Sequence, residues 1–170
     1  KSPSSEDIKN AVITAALELA IFEGWANSRL QDIANEANID MGDMAAEFSD
    51  KTDILYALGR RIDARTLKNV PASEPEVSHR EHRFDIMMER FEALNDMRQG
   101  MIAILHDLGK DPGNALCSLP HLGRSMSWML EAAGISASGI KGAVRITGLS
   151  AIYLKVLRTW MDDDSQDLSQ

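Results

Sequence analysis

Apolar residues recur along this chain at intervals of three and four, the spacing of one face of an α-helix, and polar or proline-containing breaks separate the runs. Ile8, Val12, Ala15, Leu19 and Phe22 form the first stripe, which predicts an amphipathic helix opened by Ser4 or Ser5 and closed at Gly24. A second long helix is predicted from about Lys51 to Lys68, with Ile54, Leu55, Leu58, Ile62 and Leu67 on its buried side. Asn69 to Val77 holds two prolines among small and acidic residues and predicts a linker. Beyond it, Ser78-x-x-Glu81 has capping-box form and opens a helix to about Asp96. A helix from Arg98 to about Lys110 follows, then one from about Asn114 that Pro120 should break, then a separate one from His121 to Ala133. The last, about Ile140 to Met161, is apolar on nearly all sides and so needs cover on every side. Gly142, Gly148 and Ser150 would let another backbone approach it, which makes it both core and subunit interface.

The stretch from Ser28 to Lys51 is different, because its apolar periodicity supports only two short helices. Ser28 and Gln31 have capping-box spacing, and Leu30, Ile33, Ala34 and Ala37 mark one face. Asn38-Ile39-Asp40 is a turn: Asn tolerates a left-handed backbone, Ile39 is an apolar plug, and Asp40 caps a helix from Met41 to Phe48. This is a helix-turn-helix pattern, whose second helix is the one offered to a DNA groove. Trp25, in the preceding connection, fits a plug for the small three-helix core.

Composition narrows the class. The 170 residues are 44% hydrophobic and 26% charged, which is ordinary for a folded domain rather than a disordered chain. No run approaches a membrane span and no signal-like start is present, so a cytoplasmic location is expected. The single cysteine, Cys117, fits a reducing compartment and a small buried hydrophobe. The net charge is −8, and residues 1–60 carry five lysines and arginines against eleven aspartates and glutamates. Phosphate neutralisation supplies most non-specific DNA affinity, so an acidic head puts DNA as a partner in doubt. On the second long helix, Arg60, Arg61 and Arg65 share a flank with Asp53 and Asp63 and read as a solvated face.

No catalytic constellation, cofactor motif or phosphate loop emerges, so an enzyme is not expected. His79 and His82 stand one turn apart without a third metal ligand and read as exposed, and the carboxylates at 162–164 read as a solvated helix end. The helices after the linker do carry a methionine and aromatic lining: Phe84, Met87, Met88, Phe91, Met97, Met101, Leu105, Met126, Trp128, Met129 and Leu130. Such side chains adapt to varied apolar ligands and could line a pocket between helices, or they could be plain core.

Phe22-x-Gly24, Ser28, Ile33-Ala34-x-x-Ala37, Ile39, Gly42, Phe48 and Lys51 together resemble the amino-terminal pattern of the TetR family of transcriptional regulators. The resemblance implies an all-α, TetR-like homodimer, with a helix-turn-helix domain at 1–50 and a ligand-binding and dimerisation domain at 51–170. It implies phosphate contacts from Ser28, Arg29 and Lys51, with Asp43, Met44, Ala45 and Glu47 facing the groove. It also implies pairing through the last two helices, where Trp128, Ile140, Val144, Gly148, Ile152, Val156 and Trp160 are the interface candidates, and a small apolar effector. A second resemblance, over Arg83 to Phe91, Arg124 to Leu130 and Leu157 to Ser165, is to the ubiquinone-biosynthesis Coq-nine family. That family keeps the fold, lacks DNA binding and holds isoprenoid lipid, which makes a lipid-binding protein the alternative.

Overall fold

The computed structural model describes residues 3–70 and 79–163, the side chains at 79–81 excepted. Among the described residues there are eight helices and no strand: α1 Ser5–Phe22, α2 Leu30–Glu36, α3 Met41–Glu47, α4 Lys51–Asn69, α5 His79–Asn95, α6 Arg98–Gly109, α7 Pro112–Ala132 and α8 Gly139–Asp162. The all-α expectation therefore holds over the described residues. The segment expected as a linker lies mostly outside them, as do Ser78 of the expected capping box and the acidic residues beyond Asp163.

Local chemistry explains the starts and stops. Ser4 Oγ accepts from the Asp7 N–H at 3.2 Å and Asp7 Oδ2 accepts from the Ser4 N–H at 3.0 Å, a reciprocal cap that satisfies two orphan donors of α1. Asp50 caps α4 by accepting from the Asp53 N–H at 2.9 Å. Gly24 has φ 85°, a left-handed turn that any side chain would strain. There the chain doubles back, and Trp25, 6% exposed, closes that end of the core. Phe22, expected on the buried stripe, is left 83% exposed.

Helix α1 is the hub. It packs on α2, α3, α4 and α6, while α4 packs on α5 and α7, and α7 on α8. The α1–α6 contact is unusually close, because a Cβ at Gly100 would meet Leu17 Cδ2 at 2.8 Å and the Leu17 carbonyl oxygen at 3.0 Å.

Three further expectations need correction. Helix α7 runs through Pro120 as one helix instead of two. Proline lacks the N–H that the Leu116 carbonyl would accept, but Leu116 is 67% exposed, so that carbonyl is free to turn to solvent. His82 is buried, 4% exposed, rather than solvated. Cys117 is exposed, since the first half of α7 turns it outward.

Gly100, in the first turn of α6, would ordinarily gain stability on replacement by alanine. Here the opposite is expected: Gly100→Ala should lower the free energy of unfolding by about 1–3 kcal/mol through overpacking against Leu17. Urea denaturation of the two proteins measures the difference.

Candidate nucleic-acid interface and ligand cavity

Helices α2 and α3 are joined by Asn38, whose φ of 53° is the left-handed conformation expected of that turn. Asp40 Oδ1 accepts from the Gly42 N–H at 2.7 Å and caps α3, so the helix-turn-helix has the form its residues predict. The start of α2 differs. Its cap is Arg29, whose N–H donates to Asp32 Oδ2 at 2.9 Å, while Ser28 is 2% exposed and donates its hydroxyl to the Gly24 carbonyl at 2.9 Å. Ser28 therefore belongs to the packing and is not available to a phosphate.

The surface of α3 is sparse in chemistry. Asp43 and Ala45 are exposed, as expected for groove-facing positions, but Met44 is 2% exposed and belongs to the core. Glu47 leans back on α1, with Lys9 Nζ 3.1 Å from its carboxylate. Hydrogen bonding from Ser5 and from Lys9 holds that carboxyl below its usual range. Lys51, expected on phosphate, donates instead to the Trp25 carbonyl and lies 4.3 Å from the Trp25 ring centroid. Burial pushes the Lys51 pKa down, against the opposing pull of Asp107. Arg29 alone among the three expected phosphate contacts remains exposed without such ties.

Behind the head lies a cavity of about 340 Å³, at the small end of the roughly 300–1,000 Å³ of ligand sites. It is walled by α4, α5, α6, α7 and α8, with Leu58, Ile62, Leu94, Met101, Ile104, Leu105, Leu108, Leu122, Tyr153 and Leu157 as apolar lining. Of the expected ligand residues it contains Met101 and Leu105. Phe84 and Met88 are exposed, 65% and 38%, because they sit on the outer face of α5. Phe91, Met126 and Met129 are buried in side-chain packing rather than lining a space. Phe91, for instance, lies against Tyr153 and Trp160, with ring centroids 5.6 and 6.2 Å away. Met87 is partly buried against the core, and Leu130 faces a separate pocket of about 330 Å³ with Ile135, Leu149, Ile152, Arg83 and Arg145.

The periodicity also missed the polar part of the wall. Arg90, 4% exposed, pairs with Asp63, whose other oxygen accepts from Ser125 Oγ at 2.6 Å. The Arg90 guanidinium also lies 5.0 Å from the Tyr153 ring centroid. The available signal was Arg90 standing midway between Ile86 and Leu94, four residues from each, a charge on an apolar stripe. Nearer solvent, Tyr56 and His121 stack with ring centroids 3.4 Å apart. Partial burial and then the charges of Arg124 and Arg60 depress the His121 pKa, against the weaker pull of Asp53.

Helix α6 joins cavity to head. Its Met101, Ile104, Leu105 and Leu108 line the cavity, Gly100 seats it on α1, and Asp107 Oδ2 accepts from the Ala26 N–H at 3.0 Å just before α2.

The expected dimer face is largely bare. On α8, Ile140, Val144, Ile152 and Val156 are 86, 68, 59 and 42% exposed, Gly148 is exposed between them, and Trp128 on α7 is 56% exposed. Trp160 is the exception at 3%, because its indole N–H donates to Asn95 Oδ1 at 2.8 Å and the Arg98 guanidinium stacks 4.6 Å from its ring.

Solved structures share this helical fold. The TetR transcriptional regulator from Nitrosomonas europaea ATCC 19718 superposes with a TM-score of 0.71 at 24% identity, covering 93% of this chain and 87% of that one. The chain has the TetR-type fold. A protein from Syntrophomonas wolfei str. Goettingen, assigned to the same family of regulators, superposes with a TM-score of 0.57 at 14% identity, over 96% of this chain and all of that one. No protein-family model and no curated protein matches the chain. No described helix is long and apolar enough to cross a membrane.

Removing Asp63 would leave Arg90 charged and buried without its counter-ion. Asp63→Ala should therefore cost about 3–5 kcal/mol of stability, measured by chemical denaturation.

Proposed function

We propose that this protein is a homodimeric DNA-binding transcriptional regulator whose affinity for DNA is set by a small, mainly apolar effector in the cavity. One observation carries the proposal: a single helix, α6, lines the cavity and is fastened to the reading head at two points, Gly100 on Leu17 and Asp107 on Ala26. An effector that prefers one position of α6 favours one position of the head, and a tenfold preference is worth about 1.4 kcal/mol of that equilibrium. In this division of labour residues 1–50 read DNA and residues 51–170 bind the effector and the second subunit. Two-fold pairing would set the two α3 helices about one turn of DNA apart.

Direct contacts fall to Arg29 for phosphate and to Asp43 and Ala45 for the groove. A head with so few free cations binds with a shallow salt dependence, each phosphate neutralised adding about 0.9 to the slope of log affinity on log salt. Fluorescence anisotropy with duplex from the protein's own upstream region should show binding at low ionic strength that exceeds binding to random duplex. Arg29→Ala should weaken binding on all sequences and lower the slope by about 1 per head, whereas Glu47→Lys should strengthen it.

The bare face of α8 is the proposed subunit contact. Ile152→Asp should convert the dimer to monomer in sedimentation velocity, because a charge set in an apolar interface has no partner there.

A second reading has its own support in the head, where Lys9 and Lys51 are both taken up by internal contacts. A protein that no longer reads DNA and keeps the cavity for a lipid would look this way. Absence of DNA binding at the lowest salt would select it over the regulator.

A further inference from the structure

The cavity has a net positive lining on an acidic chain. The protein carries a net −8, yet three arginines border the cavity, Arg60, Arg90 and Arg124, against one carboxylate, Asp63. That carboxylate is spent: it pairs with Arg90 and accepts from Ser125. Arg90 still keeps its Nε without a hydrogen-bond partner among the described residues, although it is 4% exposed. Arg60 and Arg124 are exposed, on α4 and α7, so they stand at the mouth rather than in the interior. Neither pairs with a carboxylate among the described residues. Arg60 follows Tyr56 by one turn of α4 and Arg124 follows His121 by one turn of α7, so the two positive charges flank the Tyr56–His121 stack, and both lower the pKa of His121. Asp53 is the acidic group felt there, and its carboxylate already accepts from the Ser49 N–H at 3.1 Å. Deeper in, Leu94, Met101, Ile104 and Leu157 offer no polar side-chain group.

An uncharged apolar ligand leaves those two arginines unused, and a cation is repelled by them. An amphipathic anion uses both ends of the site: its apolar body fills the interior and its head stays half-solvated between two guanidinium groups, which match a carboxylate bidentately. We propose that the cavity takes a small organic monoanion, an apolar body bearing one carboxylate, with that carboxylate held between Arg60 and Arg124 at the mouth. The proposal rests on the cavity being an effector site and names the effector's chemical class. The volume of about 340 Å³ limits the body to medium length or to one or two rings.

Isothermal titration calorimetry of the full chain with decanoate, decanol and decyltrimethylammonium, chains of one length with different heads, tests it. Decanoate should bind about tenfold tighter than decanol, the gain of two half-solvated charge pairs, and the ammonium should bind weakest. In the Arg60→Gln/Arg124→Gln double variant, decanoate should fall to the affinity of decanol while decanol is unchanged. Both side chains are exposed, and a thermal melt checks that the variant is folded; should the pair destabilise it, Arg124→Gln alone should remove about half of the preference in logarithmic terms. Equal binding of decanoate and decanol, or a preference that survives the double substitution, overturns the anionic class and leaves the cavity reading standing. Binding of none of the three overturns both. DNA binding by anisotropy is measured separately, so loss of the regulator reading is not confused with either result.

Discussion

Helix α6 can lie against α1 only because position 100 has no side chain. A glycine within a helix costs up to about 1 kcal/mol relative to alanine, and in the first turn of α6 that cost is offset by close contact with the α1 backbone. With Leu17 filling the space over Gly100, the amino-terminal end of α6 is fixed on the hub helix, and the hydrogen bond from Ala26 to Asp107 fixes the other end. The cavity wall and the helix-turn-helix thereby share one rigid element. The proposed coupling of effector to DNA depends on that shared element more than on any property of the cavity or of the head alone.

Charge is distributed against the usual expectation for a DNA reader. The head is acidic, and two lysines beside it, Lys9 and Lys51, are tied to Glu47 and to Trp25, where each gains a partner and loses freedom to follow a phosphate. Three arginines of the second half border the cavity instead, Arg90 buried in its wall and Arg60 and Arg124 exposed at its mouth. Only one of them is neutralised, because Asp63 is within reach of Arg90 alone.

Much of this was legible in the sequence, and for a physical reason. Helix periodicity, caps and the Asn38 turn depend on residues within four positions of one another, so every helix but α7, which spacing divides in two, and the helix-turn-helix follow from spacing. Tertiary contact decided the rest. Pro120 breaks a hydrogen bond in α7 but not the helix, since its surroundings are solvent. Ser28 could cap a helix by spacing, yet the turn at Gly24 brings a carbonyl to its hydroxyl and buries it. Met87, Met88, Met126 and Met129 have the chemistry of a flexible pocket, but whether an apolar side chain faces a space or a neighbour depends on how five helices cross. The cavity's charged members, Asp63, Arg90 and Arg124, lie far apart in the chain, and only packing gives them a common site. The sequence by itself determined the elements and their faces, which are local properties; the tertiary structure decided which faces meet, and so where the cavity lies and which charges border it.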